Sequence, residues 1–206
     1  MNQTELIVVG AGSAGCVLAS RLAQQYGFHL TLIEPPVEPA PEPDRNRPAR
    51  WLNLLGSSED WDLLTEPLEA LAGRQLRSPR GRGLGGCNRI NAMIWFPPTE
   101  RDMQMLVDAR GGLSTAREVT RAFYDVCELA APEPPLWLSE ASRRFLSAAE
   151  GTSNAKPMIY DRLTRRGRRW TPASLLSQSG RGSIEIIHDT VDRVIFNGDR
   201  AVGVRL

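Results

Sequence analysis

The chain has 206 residues, a net charge of +1 and a hydrophobic fraction of 41%, which is enough for a core in one or two small domains. This balance gives no bulk attraction to nucleic acid or to a membrane surface, and no apolar run is long enough to span a bilayer. Three scattered cysteines, and a start without the basic and apolar regions of a signal peptide, argue against a disulfide framework and favour a cytoplasmic protein.

The first predicted element is a strand at Leu6–Val9, because a short continuous apolar run is typical of a strand buried on both faces of a parallel sheet. The segment Gly10-Ala-Gly-Ser-Ala-Gly15 follows at once. Its first glycine turns the chain, its second lets a diphosphate approach the backbone, and its third lets a helix pack closely on the strand. A helix over 14–23 is expected to bury positions 18, 19, 22 and 23 and to direct its first amides at the phosphates.

A second strand is predicted at Leu30–Ile33, and it ends at Glu34. This acid lies about twenty residues after the glycines, where it can accept hydrogen bonds from both hydroxyls of an adenosine ribose. An ordinary glycine turn does not explain Glu34, and its charge would repel the 2′-phosphate of a phosphorylated nicotinamide cofactor. The order of strand, glycines, helix, strand and acid therefore predicts a dinucleotide-binding site.

Beyond this βαβ start, proline-rich and glycine-rich connections separate the predicted elements. Residues 35–48 are rich in proline and glutamate and are expected to form an extended surface connection. Residues 99–130 are predicted to be helical, with apolar positions 119, 122, 123, 126 and 129 spaced for one helix face within Ala116–Ala130. Five arginines crowd 162–169, where a solvated loop is favoured over a nucleic-acid patch because only Trp170 supplies an aromatic ring nearby.

The last part of the chain is predicted to return to strands. Pro172 suits the first position of a short helix, and residues 184–187 and 191–196 are typical of strands. Asn197 and Gly198 are expected at the centre of a hairpin turn, because both residues tolerate positive φ. Residues 201–206 would then be the partner strand.

A second glycine-rich segment, Pro79-Arg-Gly-Arg-Gly-Leu-Gly-Gly86, is followed by Ile90-Asn-Ala-Met93. Together these segments indicate one class of dinucleotide-binding protein. From Trp61 onward the chain resembles the glucose-methanol-choline (GMC) family of FAD oxidoreductases. The resemblance covers nearly all of this chain but only the first part of a family member. The other matching landmarks are Trp61-Asp-Leu-Leu-Thr-Glu-Pro67, Gly73-Arg74, Trp95, Gly167-Arg-Arg-Trp-Thr-Pro-Ala-Ser-Leu175 and Ile184–Val204.

The resemblance implies an α/β fold: a Rossmann-like FAD-binding domain with a parallel sheet, a βαβ start and a β-hairpin, incomplete relative to the family. It divides the chain into an FAD-binding core with a flavin-edge segment at 1–110, an abbreviated helical insertion on the substrate side at 111–170, and a return to the FAD-binding domain at 171–206. A nicotinamide-binding module, the other dinucleotide-binding possibility, does not account for the second glycine-rich segment.

The resemblance also implies contacts between FAD and individual residues. Ser13 and Ala14 match amide donors of the first loop, Glu34 matches the ribose ligand, and Val191 matches a residue whose backbone pairs with the adenine. Residues 85–94 match the segment that wraps the diphosphate and the flavin edge. The full set of expected cofactor-binding residues is Gly10, Gly12, Ser13, Ala14, Gly15, Glu34, Trp61, Arg80, Leu84, Gly85, Gly86, Cys87, Asn88, Asn91, Ala92, Met93, Ile94 and Val191.

Two departures from the family pattern affect how FAD would be held. Cys87-Asn88 stands where the family usually has two small hydroxyl or glycine residues, although Asn88 can still donate a hydrogen bond. Ile90 stands where some members attach FAD through a histidine, and its side chain has no nucleophilic nitrogen. We therefore expect non-covalent FAD, and we expect no metal.

The family reaction oxidises an alcohol to a carbonyl compound while a base takes the hydroxyl proton and hydride passes to flavin N5. The family's catalytic histidine lies near the C-terminal end of a full member, and no region of this chain corresponds to it; His29 and His188 are expected to be structural. The resulting hypothesis is a heteromer in which this chain binds FAD and a second polypeptide, carrying the C-terminal half of the fold, completes the enzyme for a small-molecule alcohol. The alternative is a truncated, non-catalytic flavin-binding homologue.

Overall fold

The computed structural model describes residues 6–109, 111–150, 157–177 and 181–206, and these fall into two compact units. The first unit contains the described residues up to Ala92 and from Arg168 onward, and the second runs from Met93 to Gly167. The three-part division at 110 and 170 stays a prediction. In chain order the helices and strands are β1 Leu6–Val9, α1 Ser13–Tyr26, β2 His29–Ile33, α2 Glu42–Asn46, β3 Leu63–Leu64, β4 Arg77–Ser78, α3 Glu100–Ala109, α4 Ala116–Ala130, α5 Glu140–Glu150, β5 Thr164–Arg165, β6 Arg168–Arg169, β7 Ser183–Ile187, β8 Arg193–Asn197 and β9 Arg200–Arg205.

The first unit is built on a parallel sheet of three strands in the order β1–β2–β7. Leu32 pairs with Val8 on one side and with Ile186 on the other, so β2 is the central strand. This sheet, with α1 between β1 and β2, confirms the predicted α/β fold and its βαβ start. The expected burial of β1 on both faces is wrong: Val8 is buried, but Ile7 and Val9, whose side chains lie on the opposite face of the strand, are 41% and 55% exposed.

Helix α1 packs on the sheet through small side chains, which bring its axis close to the strands. It ends at Gly27, whose φ of +77° places it in the left-handed region that glycine adopts without strain. The predicted buried face is partly wrong, because Leu18 is 51% exposed and Cys16 and Ser20 are buried instead. The buried residues of α1 are Cys16, Ala19, Ser20 and Ala23.

Two connections of the first unit differ from the sequence expectation. The segment 35–48 is not extended throughout, because it contains α2, which begins after Pro41. This helix tolerates a proline in its first turn, because a backbone N–H at that position would have no acceptor within the helix. The β8–β9 hairpin forms as expected, but Asn197 pairs with Arg200. Gly198, with a φ of +59°, is therefore the first central residue of the turn, one position later than predicted.

The described residues of the second unit contain three helices. The predicted helical stretch 99–130 is two helices, α3 and α4, because Gly111 and Gly112 between them adopt φ values of +57° and +83°. Helix α4 has the predicted bounds. Its start is fixed by a capping box, in which the backbone N–H of Thr115 donates to Glu118 Oε2 at 2.8 Å and the N–H of Glu118 bonds back to the Thr115 hydroxyl.

Candidate functional site

The first glycine loop lies between the C-terminal end of β1 and the first turn of α1. The backbone N–H of Gly10 donates to the carbonyl of Ile33 on β2 at 2.8 Å, which holds the loop at the edge of the sheet. An added Cβ at Gly15 would lie 1.9 Å from the carbonyl oxygen of Gly10, so only glycine allows α1 to start this close to the loop. Gly12 precedes α1, and among the described residues no side chain caps this helix. Its first amides are therefore suited to an anion.

The second glycine loop packs directly against the first. The backbone N–H of Gly85 donates to the carbonyl of Ala11 at 2.7 Å. An added Cβ at Gly86 would lie 2.6 Å from the Cα of Gly12, closer than any side chain allows. The structure thus brings the two predicted parts of the cofactor site, about seventy positions apart in the sequence, into backbone contact.

Glu34 joins the two loops through its carboxylate. Its Oε2 accepts the N–H of Ala11 at 2.6 Å, and its Oε1 accepts the N–H of Gly83 at 2.8 Å. The residue is 6% exposed. Each carboxylate oxygen has a second lone pair, so these bonds leave capacity for ribose hydroxyls. The ribose role of Glu34 stays a prediction, while its bridging role is a feature that the sequence motif did not indicate.

A short 3₁₀ turn, Gly86–Arg89, follows the second loop and is held by the side chain of Arg169. Arg169 Nη1 donates to the carbonyl of Asn88 at 2.9 Å and to the carbonyl of Asn91 at 2.8 Å. Burial lowers the pKa of Arg169 to about 10, with Glu59 raising it and Arg89 lowering it further, so the guanidinium is still charged at neutral pH. The sequence places Arg169 in the arginine-rich stretch 162–169 and favours a solvated loop there, but the structure differs at this residue, whose guanidinium is half-buried and bonded to backbone carbonyls.

Two buried acids, Glu59 and Asp60, bind the second loop and the turn that follows it. Glu59 is fully buried and forms an ion pair with Arg89 at 2.7 Å. Asp60 accepts the N–H of Arg80 at 2.9 Å and the N–H of Gly56 at 2.9 Å. Burial raises the pKa of Asp60, but these backbone hydrogen bonds, a third from Asp62 and the nearby guanidinium of Arg77 outweigh it and place that pKa below its ordinary value of 3.8.

The other predicted site residues of the first unit are placed as follows. Ser13 Oγ donates to Asn88 Oδ1 at 3.3 Å, across the two loops. Trp61 lies under the guanidinium of Arg82, whose Cζ is 4.6 Å from the ring centroid. Cys87 is exposed. The remaining residues are Ala14 at the start of α1, Arg80 and Leu84 in the second loop, Ala92 just after the turn, and Val191, half-buried in the connection between β7 and β8.

Met93 and Ile94 belong to the second unit. Met93 is buried and adopts a φ of +58°, an uncommon conformation for a side chain of its size, and its carbonyl accepts the N–H of Leu163 at 2.7 Å. Ile94 is half-exposed and lines an open groove of about 460 Å³ with the apolar side chains of α5 and 158–160. The FAD contacts expected of both residues stay predictions.

Groups that could perform other chemistry are placed as follows. His29 begins β2, where its Nδ1 lies 2.8 Å from the hydroxyl of Ser183, and His188 follows β7. Burial raises the pKa of the Cys16 thiol to about 11. Among the described residues no cluster of three potential metal ligands is found. None of the described helices has the length and apolar character needed to cross a membrane. The expected cytoplasmic location stays a prediction.

The chain is similar in sequence to known proteins. The family model described as Lycopene cyclase protein matches residues 5–54, which contain the βαβ start. An uncharacterized GMC-type oxidoreductase of Mycobacterium bovis is 31% identical over 237 residues, covering 98% of this chain and 44% of that protein. Pyridoxine 4-oxidase of Microbacterium luteolum is 31% identical over 196 residues, covering 88% of this chain and 38% of that protein.

The fold is also similar to that of solved structures. The crystal structure of pyridoxine 4-oxidase from Mesorbium loti superposes with a TM-score of 0.75 at 24% identity, covering 98% of this chain and 45% of that chain. This chain therefore spans less than half the length of the relatives that it matches.

Proposed function

Because this chain belongs to the GMC family of oxidoreductases and matches the N-terminal part of its relatives, we propose that it forms the FAD-binding part of an enzyme that oxidises an alcohol to a carbonyl compound. The observation that carries the proposal is the backbone contact between the two glycine loops at Gly85 and Gly86. A diphosphate that lies on one loop would also meet the other.

The residues present fit FAD. An added Cβ at Gly10 or Gly12 would meet no described atom within 4 Å, so open space lies over the bare backbone at the start of α1. Two buried guanidinium atoms, Arg82 Nε and Arg169 Nη2, have no hydrogen-bond partner among the described residues. Open space over glycine backbone, uncapped helix amides and surplus cationic donors suit a polyanionic dinucleotide.

In this proposal each part of the site has its own task. The amides of Ser13 and Ala14 bind the diphosphate, Glu34 accepts the ribose hydroxyls, and the backbone of Val191 pairs with the adenine. Residues 85–94 hold the flavin edge and exclude water from it. Bound FAD supplies the redox chemistry by accepting hydride from the alcohol carbon. The chain itself positions the cofactor.

FAD is held without a covalent bond in this proposal. Ile90, at the position of the covalent histidine in some family members, is 3% exposed and packs with Leu54 and Ala40 in a small apolar cluster. A hydrocarbon side chain in this cluster offers no atom for attachment to the flavin. Acid precipitation should therefore release the flavin into the supernatant, and flavin remaining in the pellet would contradict this.

A second polypeptide, in this proposal, supplies the base and the rest of the family fold. Two exposed apolar surfaces support such a partner. Ile7 and Val9 are exposed on one face of β1, and Phe196 and Val202 are 62% and 56% exposed on the β8–β9 hairpin. Parallel sheets are usually covered on both faces, so an exposed apolar face of β1 and an exposed apolar hairpin favour a partner that would bury them.

The test begins with the absorbance spectrum of the purified chain and a titration with FAD, using NAD as the control ligand. A flavin spectrum, or FAD binding with fluorescence quenching, supports the site, and preference for NAD would refute it. The chain is then tagged in its native host, and the polypeptides that purify with it are identified by mass spectrometry. A second chain that matches the C-terminal part of the GMC family, and restores alcohol oxidation when mixed, supports the split enzyme.

The alternative of a non-catalytic flavin-binding homologue makes the opposite prediction. It expects tight FAD binding by the chain alone, no copurifying chain with the family's C-terminal part, and no alcohol-dependent flavin reduction. A single native polypeptide of the relatives' full length, detected with an antibody against this chain, would refute both the split enzyme and this alternative.

A further inference from the structure

Three acceptors lie within hydrogen-bonding distance of one nitrogen atom of Arg169, whose two hydrogens they share. Its Nη1 donates to the carbonyl of Asn88 at 2.9 Å, to the carbonyl of Asn91 at 2.8 Å and to Asn91 Oδ1 at 3.0 Å. Its Nε donates to the carbonyl of Arg45 at 2.9 Å, which anchors the guanidinium beside α2. The guanidinium is therefore fixed at one end and binds, at the other, acceptors of the turn and of Asn91 just after it.

We propose that Arg169 is a positioning residue of the cofactor site, which sets the orientation of the segment Asn88–Asn91 before FAD binds. The inference rests on the proposed function for its consequence, but the geometry of the positioning is independent of it. Arg169 is 78 to 81 positions from this segment along the chain, so a local turn preference does not provide the same constraint.

The peptide bond is planar, so a fixed carbonyl also fixes the N–H on the other side of the same bond. The carbonyl of Asn88 shares its peptide plane with the N–H of Arg89, and the carbonyl of Asn91 shares its plane with the N–H of Ala92. Arg169 therefore fixes the directions of two backbone donors in the segment expected to wrap FAD. Ala92 is itself one of the expected contacts.

The same contact sets the side-chain amide of Asn91. Because Arg169 donates to Oδ1, the NH₂ group must face the other way, and it donates to Asn88 Oδ1 at 3.3 Å. Asn88 Oδ1 also accepts the Ser13 hydroxyl. A chain of hydrogen bonds thus runs from Arg169 through two asparagines to the first loop, and each bond restricts the orientation of the next.

Lysine would not reproduce this arrangement. The planar guanidinium binds the Arg45 carbonyl with Nε and the turn with Nη1, two directions held apart by a rigid fork. An ammonium group is a single point of charge and can occupy only one of these places. Charge alone therefore predicts rescue by Arg169→Lys, whereas positioning predicts partial rescue at most.

The experiment compares Arg169→Ala and Arg169→Lys with the control Arg168→Ala. Arg168 is the adjacent residue, is exposed and pairs with Glu42, so its removal deletes the same charge without touching the turn. Peptide-resolved hydrogen exchange over 85–92 is measured without cofactor, and FAD affinity is measured by fluorescence titration. Urea unfolding shows which variants are folded.

We expect Arg169→Ala to speed exchange across this segment and to weaken FAD binding on the order of tenfold, because disorder must be removed on binding. Arg169→Lys should lie between Arg169→Ala and wild type, and Arg168→Ala should match wild type. If Arg169→Ala folds and its hydrogen exchange over 85–92 is unchanged, the inference is overturned. If Arg169→Ala does not fold, the inference is overturned when Arg169→Lys matches wild type in both hydrogen exchange and FAD affinity. Absence of FAD binding by wild type refutes the proposed function instead, and the exchange data still decide the positioning.

Discussion

Replacing Gly86 with alanine perturbs the contact between the two glycine loops at its closest point. An added Cβ would lie 2.6 Å from Gly12 Cα, and Gly86 has a φ of +53°. Ordinary contact between carbon atoms is about 3.5–4.0 Å. The backbones of the two loops would therefore have to separate by roughly 1 Å to admit one methyl group.

Two effects add in this variant. An alanine in the left-handed region costs about 1 kcal/mol, and forcing a methyl group into a packed contact costs about 1–3 kcal/mol. We expect Gly86→Ala to lower the free energy of unfolding by about 2–4 kcal/mol. FAD affinity should fall at least about tenfold, because separated loops no longer bind the diphosphate together.

Gly198→Ala is the matched control. Gly198 has a similar φ of +59°, but an added Cβ there would meet no described atom within 4 Å. It should cost about 1 kcal/mol through the backbone alone and leave FAD affinity unchanged. Urea unfolding followed by tryptophan fluorescence measures stability, and titration of flavin fluorescence measures binding. If Gly86→Ala loses no more stability than Gly198→Ala and binds FAD like wild type, the reasoning from loop contact is refuted.

Three further predictions concern individual side chains of the first unit. Glu34→Gln places an amide NH₂ against a backbone N–H, so this variant should lower the free energy of unfolding by about 1–3 kcal/mol and weaken FAD binding. The exposed control Glu185→Gln should change neither quantity. Equal urea midpoints for the two variants would count against the bridging role of Glu34. The lowered pKa of Asp60 means that its carboxylate stabilises the fold above the ordinary value of 3.8 and that this contribution disappears as the pH falls through the folded-state value. The free energy of unfolding of wild type should therefore exceed that of Asp60→Asn by about 2 kcal/mol near neutral pH, and the difference should shrink as the pH falls below 3.8 through the lowered folded-state pKa. A difference independent of pH would contradict this. Ellman's reagent should label exposed Cys87 before Cys16, whose pKa is raised to about 11 by burial. Bound FAD should slow the labelling of Cys87. Labelling of Cys16 first, or no effect of FAD, would contradict the placement of Cys87 at the cofactor site.

Local sequence was sufficient for the elements with strong periodic or turn signals. The strands β1 and β2, the helix α4 and the glycine loop before α1 depend on side-chain spacing and on residues close in the chain, so their positions were predicted nearly to the residue. The errors arose where neighbours in space decide exposure or register. Leu18 is exposed because the sheet contacts the Cys16 face of α1, and the β8–β9 turn centres one residue late because cross-strand pairing sets its register.

The sequence by itself determined that this protein has two glycine-rich segments, the first with the spacing of a dinucleotide-binding loop, because glycine is required wherever backbone must approach backbone or phosphate. It did not determine how the two are joined. The carboxylate of Glu34 bridges Ala11 and Gly83, and Arg169 gathers the carbonyls of Asn88 and Asn91, over sequence separations that no local pattern encodes. Only the tertiary structure decides such contacts, since a side chain can satisfy a distant backbone group only after the fold has brought the two within hydrogen-bonding distance.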